Sequence, residues 1–468
     1  MEEKEKTKGQ QLAEELTFSK KNVYEAADDE KMQKIFDYAE GYKAFLNAAK
    51  TEREAVRRGI AMAEAEGFRA YTLGEKLQPG DCRYYNNRDK NLFLFRVGEE
   101  NLEEDGIRIL AAHIDSPRLD LKQNPLYEDS GMGFLKTHYY GGIKKYQWTA
   151  IPLALHGVVV TADGKNVDVV IGEDSADPVF YVNDLLPHLA QEQMARTMAS
   201  AIPGESLNIL VGGIPFADDK ADNKIKLNIL RILNEKYGIR EEDFISAELC
   251  AVPAFPARDI GFDRAMIGAY GHDDRVCAYP EITAILAAKE TKHTVMSILA
   301  DKEEIGSIGV TGMQNCLLRD MIDLISTARG ACPAVVRAHS MCLSADVNAA
   351  FDPNFPEVYE RRNSAMISCG TTMSKFTGSR GKSGTSDASA EFVGKVRRIF
   401  AENGVMWQTS ELGKVDCGGG GTVAMFLANM NIDTVDLGVP VISMHAPYEV
   451  VSKADLYTTH EAFVAFLK

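Results

Sequence analysis

The sequence predicts an α/β protein, a sandwich in which helices pack on a largely parallel sheet. Short and nearly all-apolar runs recur along the chain, as in IRILAAH (107–113) and HTVMSILA (293–300). Such runs are typical of strands that are buried on both faces. Helical patterns such as PEITAILAAKE (280–290) separate the strand-like runs. Strands that alternate with helices favour a parallel sheet between helical layers.

The first part of the chain opens with a helical pattern. Apolar residues recur at helical spacing through residues 30–66, and Gly67 supplies a stop. The strand-like run NLFLFRVG (91–98) follows it. From residue 244 the buried pattern returns, and FISAELCAVPAF, CLSADV and TVDLGVPVISM are predicted as strands.

The middle of the chain differs in character. Between about 124 and 243 the apolar runs are short and broken by Gly and Asp-Gly turns, which are hairpin signals. Two helix-like stretches follow, at 186–200 and 221–238. We therefore expect one domain made of residues 1–123 and 244–468, interrupted by an inserted α+β domain at 124–243.

The composition limits the classes of protein. With 468 residues, 45% of them hydrophobic, the chain can form a large enzyme with more than one structural unit. A net charge of −16 argues against a nucleic-acid partner, and no apolar run is long enough for a membrane span. The charged N-terminus lacks the apolar segment of a secretory signal. The eight cysteines contain no C-x-x-C pair, which predicts reduced thiols in a cytoplasmic protein.

Polar residues collect at the predicted strand ends, where open α/β sheets carry their functional sites. These residues are His113, Asp115, Asp301, Glu303, Glu304, Asp346 and His445, with Asp273 and Asp274 before a predicted helix. Singly, each has an ordinary interpretation, such as a core histidine or a helix cap. Together they would bury much negative charge, which metal ions would neutralise. Imidazole and carboxylate ligands suit zinc, with manganese or cobalt as alternatives.

Two short spacings add chemical detail. His113 and Asp115 point the same way in an extended chain, so Asp115 can accept the second ring proton of His113. The alternative is a surface aspartate in the turn before Pro117. The adjacent Glu303 and Glu304 can divide two tasks, since one can bind a metal while the other takes a proton from a water shared by two metals. Glu303 is expected to pass that proton to a leaving amine. The alternative is a solvated turn.

Eight blocks of sequence occur in a familiar order and span nearly the whole chain. They are YYNNRDKNLFLFRVG, AAHIDSPRLDLK, YYGG, LPHLA, GHDDRVCAY, DKEEIGS, SADVNAAFDPNF and DLGVPVISMHAPYE. In these blocks the chain resembles the aspartyl-aminopeptidase family of dinuclear zinc metallo-aminopeptidases, in particular its bacterial branch. The resemblance implies a co-catalytic zinc exopeptidase-like α/β/α sandwich acting on peptides. It also implies that the inserted domain builds dimers, which assemble into a closed homo-dodecamer.

The resemblance also implies roles for single residues. Glu303 matches the general base, and Asp115 matches the residue that supports the first metal-binding histidine. Asp274 matches the carboxylate shared by both metals. Five residues match the ligands of two divalent ions per subunit, most simply Zn²⁺: His113, Asp274, Glu304, Asp346 and His445. His188 matches a histidine that reaches the active site of a neighbouring subunit, where it would contact substrate.

Two departures from the family concern substrate recognition. Eukaryotic members carry a histidine where this chain has Ala349, and a substrate-contacting lysine of those members falls on Ser368, with Lys375 or Lys382 as substitutes. The sequence therefore leaves open whether acidic N-terminal residues are preferred. The expected function is removal of the N-terminal residue of peptides. The alternative is an amidohydrolase, a deacetylase or deacylase on the same two-metal scaffold.

Overall fold

The computed structural model describes residues 6–468, and its strands form three sheets. Within these residues the strands are, in chain order, β1 (Arg69–Ala70), β2 (Cys82–Asn87), β3 (Asn91–Arg96), β4 (Ile107–His113), β5 (Arg118–Asp129), β6 (Met132–Tyr140), β7 (Pro152–Val160), β8 (Asn166–Ile171), β9 (Phe180–Val182), β10 (Ile209–Gly212), β11 (Ala247–Pro253), β12 (Arg258–Ile260), β13 (Met266–Ala269), β14 (Thr294–Ala300), β15 (Met341–Ser344), β16 (Asn348–Ala349), β17 (Thr371–Ser374), β18 (Trp407–Thr409), β19 (Asp433–Gly438), β20 (Pro440–Ile442) and β21 (Glu449–Ser452).

The α-helices of the same residues are α1 (Lys8–Leu16), α2 (Val23–Ala26), α3 (Asp29–Ala48), α4 (Glu52–Ala65), α5 (Leu102–Asp105), α6 (Gln191–Met194), α7 (Met198–Ala201), α8 (Lys224–Tyr237), α9 (His272–Ala287), α10 (Leu317–Ala328), α11 (Pro333–His339), α12 (Ala390–Glu402), α13 (Ala424–Ala428) and α14 (Lys453–Leu467). None of the helices in the described part of the chain has both the length and the apolar character needed to cross a membrane.

The largest sheet has the order β1-β2-β3-β14-β4-β15-β19-β17-β18. Its centre is parallel, because β14, β15 and β19 all run in the direction of β4. Side chains of β3 alternate between two cores. Leu92 and Leu94 pack in the core that α3, α9 and α14 share, whereas Phe93 and Phe95 pack in the core that contains α10 and α11. This period-two alternation places helices on both faces and confirms the predicted α/β sandwich.

The second sheet runs in the order β11-β5-β6-β10-β9-β7-β8, and an additional pairing of β11 with β7 closes it on itself. All its pairings are antiparallel, and its interior is a separate apolar core around Trp148 and Leu207. The strands of this sheet begin at Arg118 and end at Pro253, so the expected boundary at 124 falls inside β5. The division into domains at 124 and 243 stays a prediction.

Two predicted helices are interrupted. The pattern at 30–66 forms α3 and α4, because Thr51 caps a new helix and makes a reciprocal capping box with Glu54. The stretch 186–200 forms only the 3₁₀ turn Pro187–Leu189 and the single-turn helices α6 and α7. Its apolar side chains, such as Leu189 and Met194, are exposed, so no buried face stabilises a longer helix.

Candidate metal centre

The site forms where parallel strands end side by side. In the register of the main sheet, Ala300 at the end of β14 pairs with His113, and Ser344 at the end of β15 pairs with Ala111. The residues that follow these strands therefore emerge at one edge, as sequence reasoning predicted from the carboxyl ends of the strands.

Asp273 lies at the centre of the site. Its Oδ1 is 3.1 Å from Nε2 of His113, and its Oδ2 is 3.1 Å from Nε2 of His445. One carboxylate thus faces two imidazoles, one at each of its oxygens. Asp273 belongs to the first turn of α9, but its backbone is non-helical (φ −79°, ψ 109°). This local departure from the helix directs the side chain into the site.

Two groups of ligand atoms share Asp273. Site A consists of His113, Asp273 and Asp346, and site B consists of Asp273, Glu304 and His445. In each group the three candidate ligand atoms lie within 4.8 Å of one another. The structure therefore brings together four of the five residues that the resemblance assigned to the metals, and it places Asp346 and Glu304 in different groups. Imidazole and carboxylate in these numbers are a donor set that zinc accepts.

The fifth residue, Asp274, needs a correction. It was expected to be the shared carboxylate, but it belongs to neither site, and Asp273 lies between the histidines instead. Asp274 is fully buried, and neither of its carboxylate oxygens has a hydrogen-bond partner among the described residues. The reason is local: consecutive residues with different backbone angles aim their side chains apart. Two adjacent identical residues offer no sequence signal to tell them apart.

Asp115 contacts both His113 and the turn that carries Glu303 and Glu304. It is fully buried, and its Oδ1 lies 3.3 Å from Nδ1 of His113. The closer partner of that nitrogen is the backbone carbonyl of Asp115, at 3.0 Å. The carboxylate also accepts hydrogen bonds from the backbone N–H groups of Glu303 and Glu304 and from the hydroxyl of Tyr140. Asp115 therefore orients a candidate ligand histidine mainly through its backbone carbonyl, and its side chain holds the turn that presents both glutamates.

Glu303 lies beside the sites without belonging to either. Its Oε2 is 3.8 Å from Nε2 of His113, and its side chain is 19% exposed, compared with 3% for Glu304. The two glutamates follow β14 in the 3₁₀ turn Glu303–Ile305. The Glu304 carboxylate is thus enclosed in site B, while the Glu303 carboxylate reaches the more exposed side of the centre.

Glu449 was missed by sequence reasoning. It is buried at the start of β21, where its Oε1 accepts the backbone N–H of His445 at 2.7 Å and its Oε2 accepts that of Asp273 at 3.1 Å. It thereby ties together the backbones of two candidate ligands. The available signal was a carboxylate opening the short strand EVVS, as the last residue of the block DLGVPVISMHAPYE that contains His445.

The electrostatics of the site reflect concentrated negative charge. Burial raises the pKa of Glu303 to about 7 and raises the pKa values of Glu304 and Asp346 well above their usual range. Burial by itself lowers the pKa of the histidines, but the nearby carboxylates outweigh it. They raise the pKa of His113 well above its usual value and that of His445 to about 10. Groups that hold extra protons in this way release them when they bind a divalent cation.

Unpaired buried atoms fit a bound metal. Among the described residues, Oδ1 of Asp273 and Oε1 of Glu304 are buried without a hydrogen bond. Each instead faces an imidazole Nε2, at 3.1 and 3.5 Å respectively. Buried polar atoms are nearly always satisfied, so atoms that converge without bonding indicate a ligand between them. The residues present therefore fit a pair of divalent ions that share Asp273.

The remaining predicted residues lie apart from these groups. His188 is exposed in the turn Pro187–Leu189 and lines a cavity of about 590 Å³. Ser368 is buried against α14, where its N–H donates to Asp455. Lys375 and Lys382 both form ion pairs with Asp387. Ala349 lies in β16.

Comparisons with known proteins identify a family of metalloproteases. A family model described as aminopeptidase I zinc metalloprotease (M18) matches residues 45–467. A relative from Clostridium acetobutylicum, named a probable M18 family aminopeptidase 1, is 51% identical over 455 residues, which cover 96% of this chain and 98% of the relative.

Solved structures show the same fold. The M18 aminopeptidase of Thermotoga maritima superposes with a TM-score of 0.91 at 40% identity, covering 97% of this chain and 100% of that one. Aminopeptidase I from Clostridium acetobutylicum gives 0.90 at 47% identity with the same coverage. The mApe1 dodecamer of S. cerevisiae gives 0.75 at 22% identity, covers 92% of this chain and 96% of that one, and shares the fold.

Proposed function

Because the chain belongs to the M18 family of zinc aminopeptidases and is a hydrolase, we propose that it removes the N-terminal residue of peptides with two divalent ions and Glu303 as general base. The position of Asp273 between His113 and His445 carries this proposal, since a shared carboxylate is the feature that a two-metal site requires. Site A and site B would each hold one ion.

The residues of the chain have separate tasks in this reaction. When bound, the two ions would polarise the scissile carbonyl and lower the pKa of a nearby water. Glu303 belongs to neither site. It accepts a proton from the attacking water while the oxygen of that water bonds to the carbonyl carbon. It returns that proton to the amine nitrogen when the carbon–nitrogen bond breaks. Asp115 keeps the turn of Glu303 in place through the backbone hydrogen bond.

A substrate panel tests the reaction class. Aminoacyl p-nitroanilides should be cleaved after loading with zinc, cobalt or manganese, and their N-acetylated forms should not. Excess chelator should abolish the activity, and metal analysis of the loaded protein should give two ions per chain. Activity that survives chelation would refute the metal mechanism. Release of acetate from the N-acetylated forms, with the p-nitroanilide bond left intact, would instead support an amidohydrolase. Comparing aspartyl, glutamyl and leucyl substrates decides the acidic preference, which Ala349 and Ser368 leave open.

We also propose a homo-dodecamer built from dimers, in which His188 completes a neighbouring active site as a substrate-binding residue. The related yeast structure is named a dodecamer. The exposure of His188, with the exposed apolar side chains of Leu185, Leu186 and Leu189 around it, supports a contact surface there. The eight cysteines are free thiols, in keeping with the cytoplasmic location that we propose.

Mixing two inactive variants tests the role of His188. After dissociation and reassembly of His188→Ala with Glu303→Gln, random pairing should restore about a quarter of the wild-type activity, because that share of sites combines both intact residues. Full activity of His188→Ala alone, or no recovery despite proven exchange of subunits, would refute the proposal. A monomer in light scattering at micromolar concentration would refute the assembly itself.

A further inference from the structure

The segment that follows β6 contacts the metal centre from the closed sheet. Strand β6 ends at Tyr140, and Gly141 and Gly142 come directly after it. We propose that these three residues are positioning residues for site B, which they reach through Asp115, Glu304 and His445. This inference rests on the two-metal function proposed above. It would make the closed sheet part of the metal centre rather than only a separate structural unit.

Tyr140 acts on Asp115. Its hydroxyl donates a 2.8 Å hydrogen bond to Oδ2 of Asp115, the same oxygen that accepts the backbone N–H of Glu304 at 3.2 Å. The guanidinium of Arg118 lies 4.1 Å from the centre of the Tyr140 ring, and the tyrosine is buried. The phenol is therefore held in one orientation, and it limits where the carboxylate that supports Glu304 can lie.

Gly141 acts directly on Glu304. Its φ is +75°, and a Cβ at this position would lie 3.0 Å from Oε2 of Glu304 and 3.4 Å from the Cβ of the same residue. Few real Cβ contacts are as close as 3.0 Å, so a side chain here would displace the Glu304 carboxylate by a few tenths of an ångström or shift the backbone. The glycine thus leaves the space in which the Glu304 carboxylate reaches site B.

Gly142 acts on His445. Its backbone carbonyl accepts a 2.7 Å hydrogen bond from Nδ1 of His445. A ring whose Nδ1 carries the proton must present the lone pair of Nε2 to the metal, and such bonds set both the tautomer and the orientation of a ligand histidine. That Nε2 faces Asp273 at 3.1 Å and Glu304 at 3.5 Å.

Among the candidate ligands, Gly141 and Gly142 contact only Glu304 and His445, on one side of the centre. Glu304 and His445 belong to site B, and neither of these direct contacts involves Asp346 of site A. Disturbing either glycine should therefore weaken one of two bound ions and leave the other. A general loss of stability would instead affect both ions alike.

Calorimetric titration of the metal-free full chain with Co²⁺ tests this expectation. Gly141→Ala should weaken one of two binding events by about 10- to 100-fold, the usual cost of losing an outer-shell contact. Gly131→Ala is the matched control, because Gly131 has a φ of +80° in the turn before β6 and no atom within 4 Å of a Cβ there. It carries the same backbone strain without the contact, and it should bind both ions like wild type.

Tyr140→Phe provides a variant with little effect on packing. We expect it to weaken metal binding without selecting one ion, because Asp115 also lies 3.3 Å from His113 of site A. It should lower kcat with little change in KM, since the binding of the substrate is untouched. Tyr139→Phe, a change on an exposed neighbour in β6, should leave both values unchanged.

The outcomes separate the two proposals. If the wild type binds fewer than two ions, the two-metal function fails. If the wild type binds two ions and both Gly141→Ala and Tyr140→Phe bind them with wild-type affinity, only the positioning role fails. Equal weakening of both ions in Gly141→Ala, without such weakening in Gly131→Ala, would also overturn the selective role at site B.

Discussion

The backbone N–H of Glu303 donates a 3.1 Å hydrogen bond to the carboxylate of Asp115. The residue proposed as the base is thus held by the residue that also lies against the ring of His113. Because the bond goes to the backbone of Glu303, the carboxylate of Glu303 remains free to move a proton while its turn is fixed.

Replacing Asp115 by asparagine should lower kcat strongly. The amide retains one acceptor oxygen, but its NH₂ group would face an N–H of Glu303 or Glu304, and two donors repel. A reduction of about 10- to 100-fold is expected for an outer-shell change of this kind. Steady-state kinetics measure it, with Asp129→Asn, a change at the exposed last residue of β5, as control. Wild-type kinetics of Asp115→Asn would contradict this role.

The adjacent glutamates should respond differently to the same substitution. Glu303→Gln should retain both ions and lose turnover by about 10²- to 10⁴-fold, the usual contribution of a general base. Glu304→Gln should lose affinity for one ion, because its carboxylate belongs to site B. Metal titration and kinetics of the two variants measure both effects. The opposite pattern would reverse the assignment within the pair.

A second adjacent pair decides which aspartate is shared by the metals. Asp273→Asn should weaken both ions, because Asp273 belongs to site A and site B. Asp274→Asn should still bind two ions, since Asp274 belongs to neither. Metal content after dialysis against a fixed zinc concentration separates the variants. Loss of both ions from Asp274→Asn alone would restore the assignment made from the sequence.

His156 should make stability depend on pH. Its Nδ1 lies 2.7 Å from Oε1 of Glu54 and its Nε2 lies 3.0 Å from Oε1 of Glu173, so both ring nitrogens must carry protons to donate. Glu173 also pairs with Lys50. Burial alone would lower the pKa of His156, but the two glutamates raise it. The pKa values of Glu54 and Glu173 are lowered, because hydrogen bonds to His156 and the charges of His156 and Lys50 outweigh burial.

The stabilisation by His156 is largest in mildly acidic solution, because its pKa is raised in the folded state. The contribution of His156 is complete below its unfolded pKa of about 6.5 and is lost as the pH rises through the higher folded value. The contribution of the glutamates is present above about pH 4.5 and is lost at lower pH. His156→Gln should therefore lower the free energy of unfolding most near pH 5–6, by about 2 kcal/mol. Urea unfolding between pH 5 and 9 measures it, with the exposed His138→Gln as control. A deficit that does not change with pH would argue against a charged His156.

Some features were predictable because they depend on short stretches of chain. The apolar runs that became β4 and β14 indicate burial on both faces by themselves, and parallel strands must end at one edge. His113, Glu303 and Glu304 could therefore be placed in one site, and ordered motifs assigned the family.

Other features depended on the tertiary structure. The backbone angles at the start of α9 direct Asp273, and not Asp274, towards the two histidines. Two adjacent aspartates in a sequence do not reveal these angles. Tyr140, Gly141 and Gly142 contact the site only because the closed sheet folds back on the sandwich, and Glu449 does so because β21 returns beside β13. Periodicity reports which face of an element is buried. It does not report which distant backbone meets that face, because such contacts depend on the packing of the whole chain.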